Sequence, residues 1–306
     1  MWKRVPTQGY VRTRCEPGTA RAPLLRTGAA HSGGYQEILG RGQEAFTLLE
    51  LLTVIAIIGI LAAIALPTIH NFRPDPAATA ARQLMNELAR ARQLALSQRT
   101  TVYMVFVPTN FWLDTATSSW TAEDRRKATN LFDKQLIGYN FVSLRSLGDQ
   151  PGRPTARYLS SWRTLPDGAF ISLEKYLSPN SLTTPVLTIK TSTPPVLAFN
   201  VLAFNKTNNI PFPSENTPPA SVAKPYVTLP YIAFNYMGQL VTGQNDLIPL
   251  AKGNLHFARD AKTGLGTPVL PTITESPPGS ATNSGFNVVS IDWLTGRAHL
   301  ERQEVR

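Results

Sequence analysis

Residues 46–67 read FTLLELLTVIAIIGILAAIALP, and the larger inferences about this chain start from them. The sixteen residues from Leu51 to Leu66 carry no charge. From Phe46 to Leu66 the stretch is 21 residues long. As a helix it would measure about 32 Å at ~1.5 Å per residue, which matches a hydrocarbon core of about 30 Å. One carboxylate, Glu50, interrupts the run near its start. A charge there costs on the order of 2.5 to 3.5 kcal/mol at mid-bilayer and less toward the interface, so it asks for a partner.

Three structures could use such a segment. A buried core helix needs a large surrounding protein, yet the flanks here are polar or broken by proline. A removable secretory signal would find small residues at Ala63-Ile64-Ala65 for its cut, but Pro67 lies two residues beyond and Glu50 has no use in it. A retained membrane anchor accommodates both features. Upstream, residues 1–45 hold seven Lys/Arg against three acids, a net +4 in a chain of net +10. That bias predicts that residues 1–45 stay cytoplasmic and the rest is translocated.

Ala45-Phe46-Thr47-Leu48-Leu49-Glu50-Leu51-Leu52, the apolar run and Pro67 together resemble the prepilin class III signal of type IV pilins and type II secretion pseudopilins. The resemblance implies that a prepilin peptidase cuts between Ala45 and Phe46, removes residues 1–45 as a leader, and methylates the new amino terminus of Phe46. Glu50 then becomes the fifth residue of the mature chain and Pro67 the twenty-second. In that family the glutamate neutralises the amino terminus of a neighbouring subunit, and the proline gives the helix a weak point during packing. Glu50 and Pro67 are therefore the expected assembly residues. The match departs from the family pattern at Ala45, where glycine is usual, and in a long leader that carries Glu44 where a basic or neutral residue is commoner. The single cysteine, Cys15, would leave with the leader, so the mature chain suits an oxidising periplasm.

Downstream, Pro74 and Pro76 bracket Asp75, which reads as an N-cap with proline at the first helical position. Residues 77–99 place Ala77, Ala81, Leu84, Leu88, Ala91 and Ala95 on one helical stripe, with Arg82, Glu87, Arg90 and Arg92 mostly elsewhere, as a solvated face. The pattern then becomes extended. Residues 101–107, 169–173 after the turn Leu165-Pro-Asp-Gly168, 231–236, 286–293 and 297–300 read as strands. The expectation is an α+β, pilin-like fold. Its long N-terminal hydrophobic helix is kinked near Pro67 and Pro74–Pro76 and packs on an antiparallel β-rich head. The expected divisions are a leader (1–45), a transmembrane and amphipathic helix (46–100) and a head (101–306).

Residues 113–160 and 179–230 read as insertions. The second holds ten prolines among 52 residues, a density that favours loops and sheet edges, and residues 206–225 are expected to be mobile. Within it Val196-Leu-Ala-Phe-Asn200 is followed at once by Val201-Leu-Ala-Phe-Asn205, and Tyr231-Ile-Ala-Phe-Asn235 resembles both. The repeat reads as a duplicated strand or as an edge that binds a partner.

The chain is 42% hydrophobic and 16% charged, with 25 prolines in 306 residues, which excludes both a disordered polyelectrolyte and an all-helical bundle. One cysteine and four scattered histidines (His31, His70, His256, His299) offer no metal or redox site, and no nucleotide-binding, zincin or nucleophile-elbow motif occurs. No enzymatic activity, cofactor or metal is expected. The order of helix and strands is similar to H-type minor pseudopilins and FimT-like minor pilins. That resemblance implies a structural subunit at or near the tip of a type II secretion pseudopilus or type IV pilus. The expected setting is the bacterial inner membrane with a periplasmic head, and the expected partners are the prepilin peptidase and other pilins or pseudopilins. The alternatives are a FimT-like head that binds DNA for uptake, or a membrane-anchored secreted binding protein. Gly296-Arg297-Ala298-His299 keeps part of the pattern, with Arg297 and Arg302 as candidate phosphate contacts and Glu301 and Glu304 intervening.

Overall fold

The computed structural model describes residues 46–71, 75–145, 148–150, 155–177, 184–190, 198–280 and 287–302, with side chains throughout except at 64–71 and 302. The expected leader, including Cys15 and Ala45, lies outside the described residues, as do Pro74 and the first two residues of the VLAFN repeat. The chain divides between Pro67 and Thr68 into two compact units.

In the first unit, helix α1 starts at Leu48, and its assignment passes through Pro67 to Asn71. The second unit begins its own helix, α2, at Pro76 and ends it at Gln98. Asp75 caps α2 with extended backbone, and its carboxylate accepts from the Ala77 amide at 3.1 Å. Pro76 supplies a pre-set φ where no amide donor is needed. At the far end Arg99 adopts the left-handed conformation (φ 50°), and its amide returns to the Ala95 carbonyl. Ala77, Ala81, Leu84, Leu88, Ala91 and Ala95 are all fully buried, so the stripe read from the sequence is the buried face.

The strands follow in order. They are β1 (Val102–Phe106), β2 (Gly138–Ser143), β3 (Arg157–Tyr158), β4 (Arg163–Thr164), β5 (Ala169–Ile171), β6 (Leu187–Lys190), β7 (Ala198–Val201), β8 (Asn205–Thr207), β9 (Leu229–Phe234), β10 (Asp246–His256), β11 (Thr272–Glu275), β12 (Asn287–Ile291) and β13 (Ala298–Arg302). A short helix, α3 (Ala122–Thr129), lies between β1 and β2. One sheet runs β3-β2-β1-β9-β8, with β4 also on β2; a second runs β11-β10-β12-β13, with β5 also on β10; β6 and β7 pair alone. Every pairing is antiparallel.

Helix α2 packs on β1 and β9 of the first sheet and on β5, β10, β12 and β13 of the second. Its alanines let both sheets approach closely while Leu84 and Leu88 fill the space between them. The first sheet is covered on its other face too. Val102, Met104 and Phe106 of β1 point into the α2 core, whereas Val105 and Val107 point into an aromatic layer with Phe111, Trp120 and Phe212. Burial on both faces explains why VYMVFV is apolar without alternation.

That aromatic layer and its sheet draw on both of the stretches read as insertions. Strand β2 lies inside the 113–160 stretch, yet all six of its residues are buried beside β1. Residues 206–225, expected to be mobile, contribute Ile210 and Phe212, both fully buried. The tandem repeat does not form two equivalent strands. Ala198, Phe199 and Asn200 of the first copy lie in β7, whereas the second copy spans the connection from Val201 to Asn205. It sends Phe204 into the α2 core, stacked on Phe106 at 4.6 Å.

Candidate assembly site

The N-terminal turn of α1 is built by two side chains. Thr47 precedes the helix, and its hydroxyl accepts from the Glu50 amide at 3.2 Å. In return the Glu50 carboxylate accepts from the Thr47 amide and hydroxyl, both at 3.1 Å. This reciprocal capping box satisfies amides that the first turn leaves unpaired and puts a negative charge where the helix dipole favours it. Phe46 stands just before it, outside the helix and 80% exposed. The chain at the expected cut is therefore non-helical on its Phe46 side.

From Leu51 to Ala63 α1 presents apolar residues on every face, with Thr53 the one polar side chain in that stretch. Leu48, Leu49, Leu51, Leu52, Ile55, Ile57, Ile58, Ile60 and Leu61 all remain more than half exposed. A helix that is hydrophobic all round belongs in lipid or against other helices. Among the described residues no helix is long and apolar enough to cross a membrane. Side chains of α1 are described only from Leu48 to Ala63, a length of about 24 Å. Ile64, Ala65 and Leu66, which complete the span expected from the sequence, fall outside that set, as does the Pro67 side chain.

Of the predicted assembly residues, Glu50 lies in the first turn of α1, and Pro67 lies within the helix without ending it. Thr47 was missed as a capping residue, although Thr47-x-x-Glu50 before an apolar run is the S/T-x-x-E capping pattern.

The candidate phosphate-binding arginines are not brought together. Arg297 is exposed at the turn before β13, and Arg302 closes that strand. Five residues of extended chain put their backbones about 17 Å apart. Between them His299 meets Glu301 at 3.0 Å. The turn itself has a packing explanation. The Thr295 hydroxyl and amide bond the Asp292 carboxylate and hold its pKa below the usual range. Gly296 (φ 62°) lies so close to the Gly238 carbonyl that a Cβ would sit 2.0 Å from that oxygen. Arg92 of α2 donates to the same carbonyl at 3.2 Å, so this arginine ties the helix to the turns instead of facing solvent.

Comparison with known proteins meets this geometry at the same residues. A family model described as the prokaryotic N-terminal methylation motif matches residues 40–66. The fimbrial protein EcpC of Eikenella corrodens is 34% identical over 137 residues, which cover 82% of that protein and 44% of this chain. No solved structure matches. A prepilin methylation motif on an apolar helix, an α+β head, and a fimbrial relative covered over most of its length lead to one assignment: the chain belongs to the type IV pilin family of prepilin-type proteins.

Proposed function

We propose that this pilin-type subunit is a minor component of a type IV pilus or type II secretion pseudopilus, held in the inner membrane by α1 until it enters the filament. The observation that carries the reading is α1 itself, whose Leu51–Ala63 stretch shows exposed apolar residues on all sides, with one carboxylate in its first turn. Cleavage between Ala45 and Phe46 frees an ammonium four residues from Glu50, and in a low-dielectric setting the two charges attract strongly. The Glu50 of one subunit then meets the Phe46 amine of its neighbour, so assembly fixes both the charge and the axial register. Head size supports a minor, tip-proximal place. The aligned region fills most of the fimbrial relative but less than half of this chain, and the additional bulk would crowd a repeating shaft.

The test is Glu50→Ala in cells that assemble the filament. The variant is cut before Phe46 and stays in the membrane fraction, but its recovery in sheared filaments falls at least about tenfold, the loss of one strong charge pair. Amino-terminal sequencing that finds residues 1–45 still attached to the filament-associated protein would refute the reading.

A further inference from the structure

The aromatic layer behind the first sheet opens to the surface in a cleft of about 420 Å³, between the turn that follows β1, helix α3 and Pro268. Trp112, Trp120 and Phe132 supply its aromatic wall, and the rings of Trp112 and Phe132 stand edge to face at 5.5 Å and 82°. Arg125 of α3 is exposed at the same opening.

The hydrogen-bonding groups of this cleft are one-sided. Trp120 is only 9% exposed, yet neither its indole N–H nor that of Trp112 finds an acceptor among the described residues. Trp162, in the same layer, shows the usual arrangement, its N–H donating to the Pro213 carbonyl at 3.3 Å. Arg125 likewise forms no ion pair among the described residues. Thr117, Ser118 and Thr129 also line the cleft, but their hydroxyl hydrogens go to the main-chain carbonyls of Asp114, Thr115 and Arg125 at 2.8, 2.8 and 2.9 Å. No carboxylate or side-chain amide lines it. The acids nearest in sequence are engaged elsewhere: Glu123 with Lys127, Asp124 with Thr121 and Thr217, and Asp133 with Lys134 and Arg259.

Two indole donors and a guanidinium therefore face a ligand that must bring acceptors, apolar surface and few donors of its own. A proline-rich chain in the polyproline II form meets each condition. Its carbonyls point outward without internal bonds, proline has no N–H, and the stiff chain packs its rings on aromatic walls at low entropic cost. A sugar would bring hydroxyl donors for which this wall has little to offer. A row of nucleobases would need a flat platform, whereas Trp112 and Phe132 meet nearly at right angles. We propose that this cleft docks a proline-rich segment of another protein, with the indole N–H groups of Trp112 and Trp120 donating to its carbonyls and an acidic residue beside the prolines meeting Arg125.

The experiment uses the full chain in nanodiscs of neutral lipid, with empty nanodiscs as the blank, and follows the anisotropy of fluorescein-labelled decaproline peptides that end in Glu-Glu or in Lys-Lys. The acidic peptide binds saturably and about fivefold more tightly than the basic one. Trp112→Phe and Trp120→Phe each keep a ring and remove one donor, and each weakens the acidic peptide about fivefold. Arg125→Glu, on the exposed face of α3, leaves the thermal midpoint in place and reverses the preference between the two peptides, a change that a folding defect cannot produce. The absence of saturable binding, an unmoved preference in Arg125→Glu, undiminished binding by both tryptophan variants, or oligothymidylate binding more tightly than the acidic peptide overturns the proposal.

Discussion

Thr47 and Glu50 exchange three hydrogen bonds across one helical turn, so the carboxylate at the centre of the assembly reading already has a structural task within its own subunit. Thr47→Ala removes the hydroxyl that the Glu50 amide uses. An N-cap of this kind is worth about 1 kcal/mol, so hydrogen exchange at the Glu50 amide should quicken about fivefold, while Thr47→Ser keeps the protection. Exchange measured by mass spectrometry on the full chain in nanodiscs reads this out, and an unchanged rate in Thr47→Ala would remove the capping box from the account. Single residues of this kind are the most legible features of the sequence, because capping is local chemistry. Asp75-Pro76 announces its helix start without help from the rest of the chain. The separation of Arg297 and Arg302 follows from a strand already announced over 297–300, whose extended chain holds their backbones about 17 Å apart.

Among the elements, α2 was legible because six positions at helical spacing meet one buried face. Leu84→Ala removes a fully buried side chain between the two sheets and should cost about 2–5 kcal/mol. Arg82→Ala, on the exposed face, should stay within about 0.5 kcal/mol. Denaturant unfolding followed by tryptophan fluorescence compares the two directly, and equal losses would place the helix wrongly. Strand β2 was less legible because Asn140 and Ser143 make it look polar. Burial is tolerated since the Asn140 side-chain oxygen accepts from the Phe141 amide at 2.7 Å and the Ser160 hydroxyl at 2.6 Å. Strand β10, the longest, was hidden by Pro249 and Gly253. The carbonyl of Pro249 receives the Ser172 amide, so its missing N–H lies on the side where β5 has already ended. Gly253 stands where β10 changes partner from β5 to β11, with a Cβ position only 2.0 Å from the Thr274 carbonyl. Tertiary pairing decided both strands, and no short window of sequence contains it.

On the scale of the whole head, separate segments are joined by a buried ion pair. Lys175, fully buried in the turn after β5, donates to Asp246 at the start of β10, and also to the Leu202 carbonyl between β7 and β8 at 2.9 Å. Its ammonium sits 4.9 Å from the centre of the Phe204 ring. Lys175→Met strands the aspartate and should cost about 3–5 kcal/mol, whereas Lys175→Met with Asp246→Leu should recover most of that loss. Denaturant midpoints of the three proteins check the pattern, and a double variant as weak as the single would show that the pair itself holds the segments together.

Acid sensitivity follows from other carboxylates. Desolvation would raise Asp124, but the hydroxyls of Thr121 and Thr217 outweigh it, and Asp114 behaves likewise, so both are lowered in the fold. Their stabilisation is complete above the ordinary aspartate value of about 3.9 and is lost as pH falls through the lower folded values. The urea midpoint should therefore hold steady above about pH 5 and decline below it. A flat profile down to about pH 2.5 would contradict these shifts.

Chain connectivity sends any tug on α1 into the head through Asp75 and the start of α2. There Lys252 of β10 grips the Asp75 carboxylate at 3.1 Å, and the helix behind it lies wedged between both sheets. Tension arriving at that point is shared across two sets of strands at once, so the head can be hauled as a single piece without unravelling from its first turn.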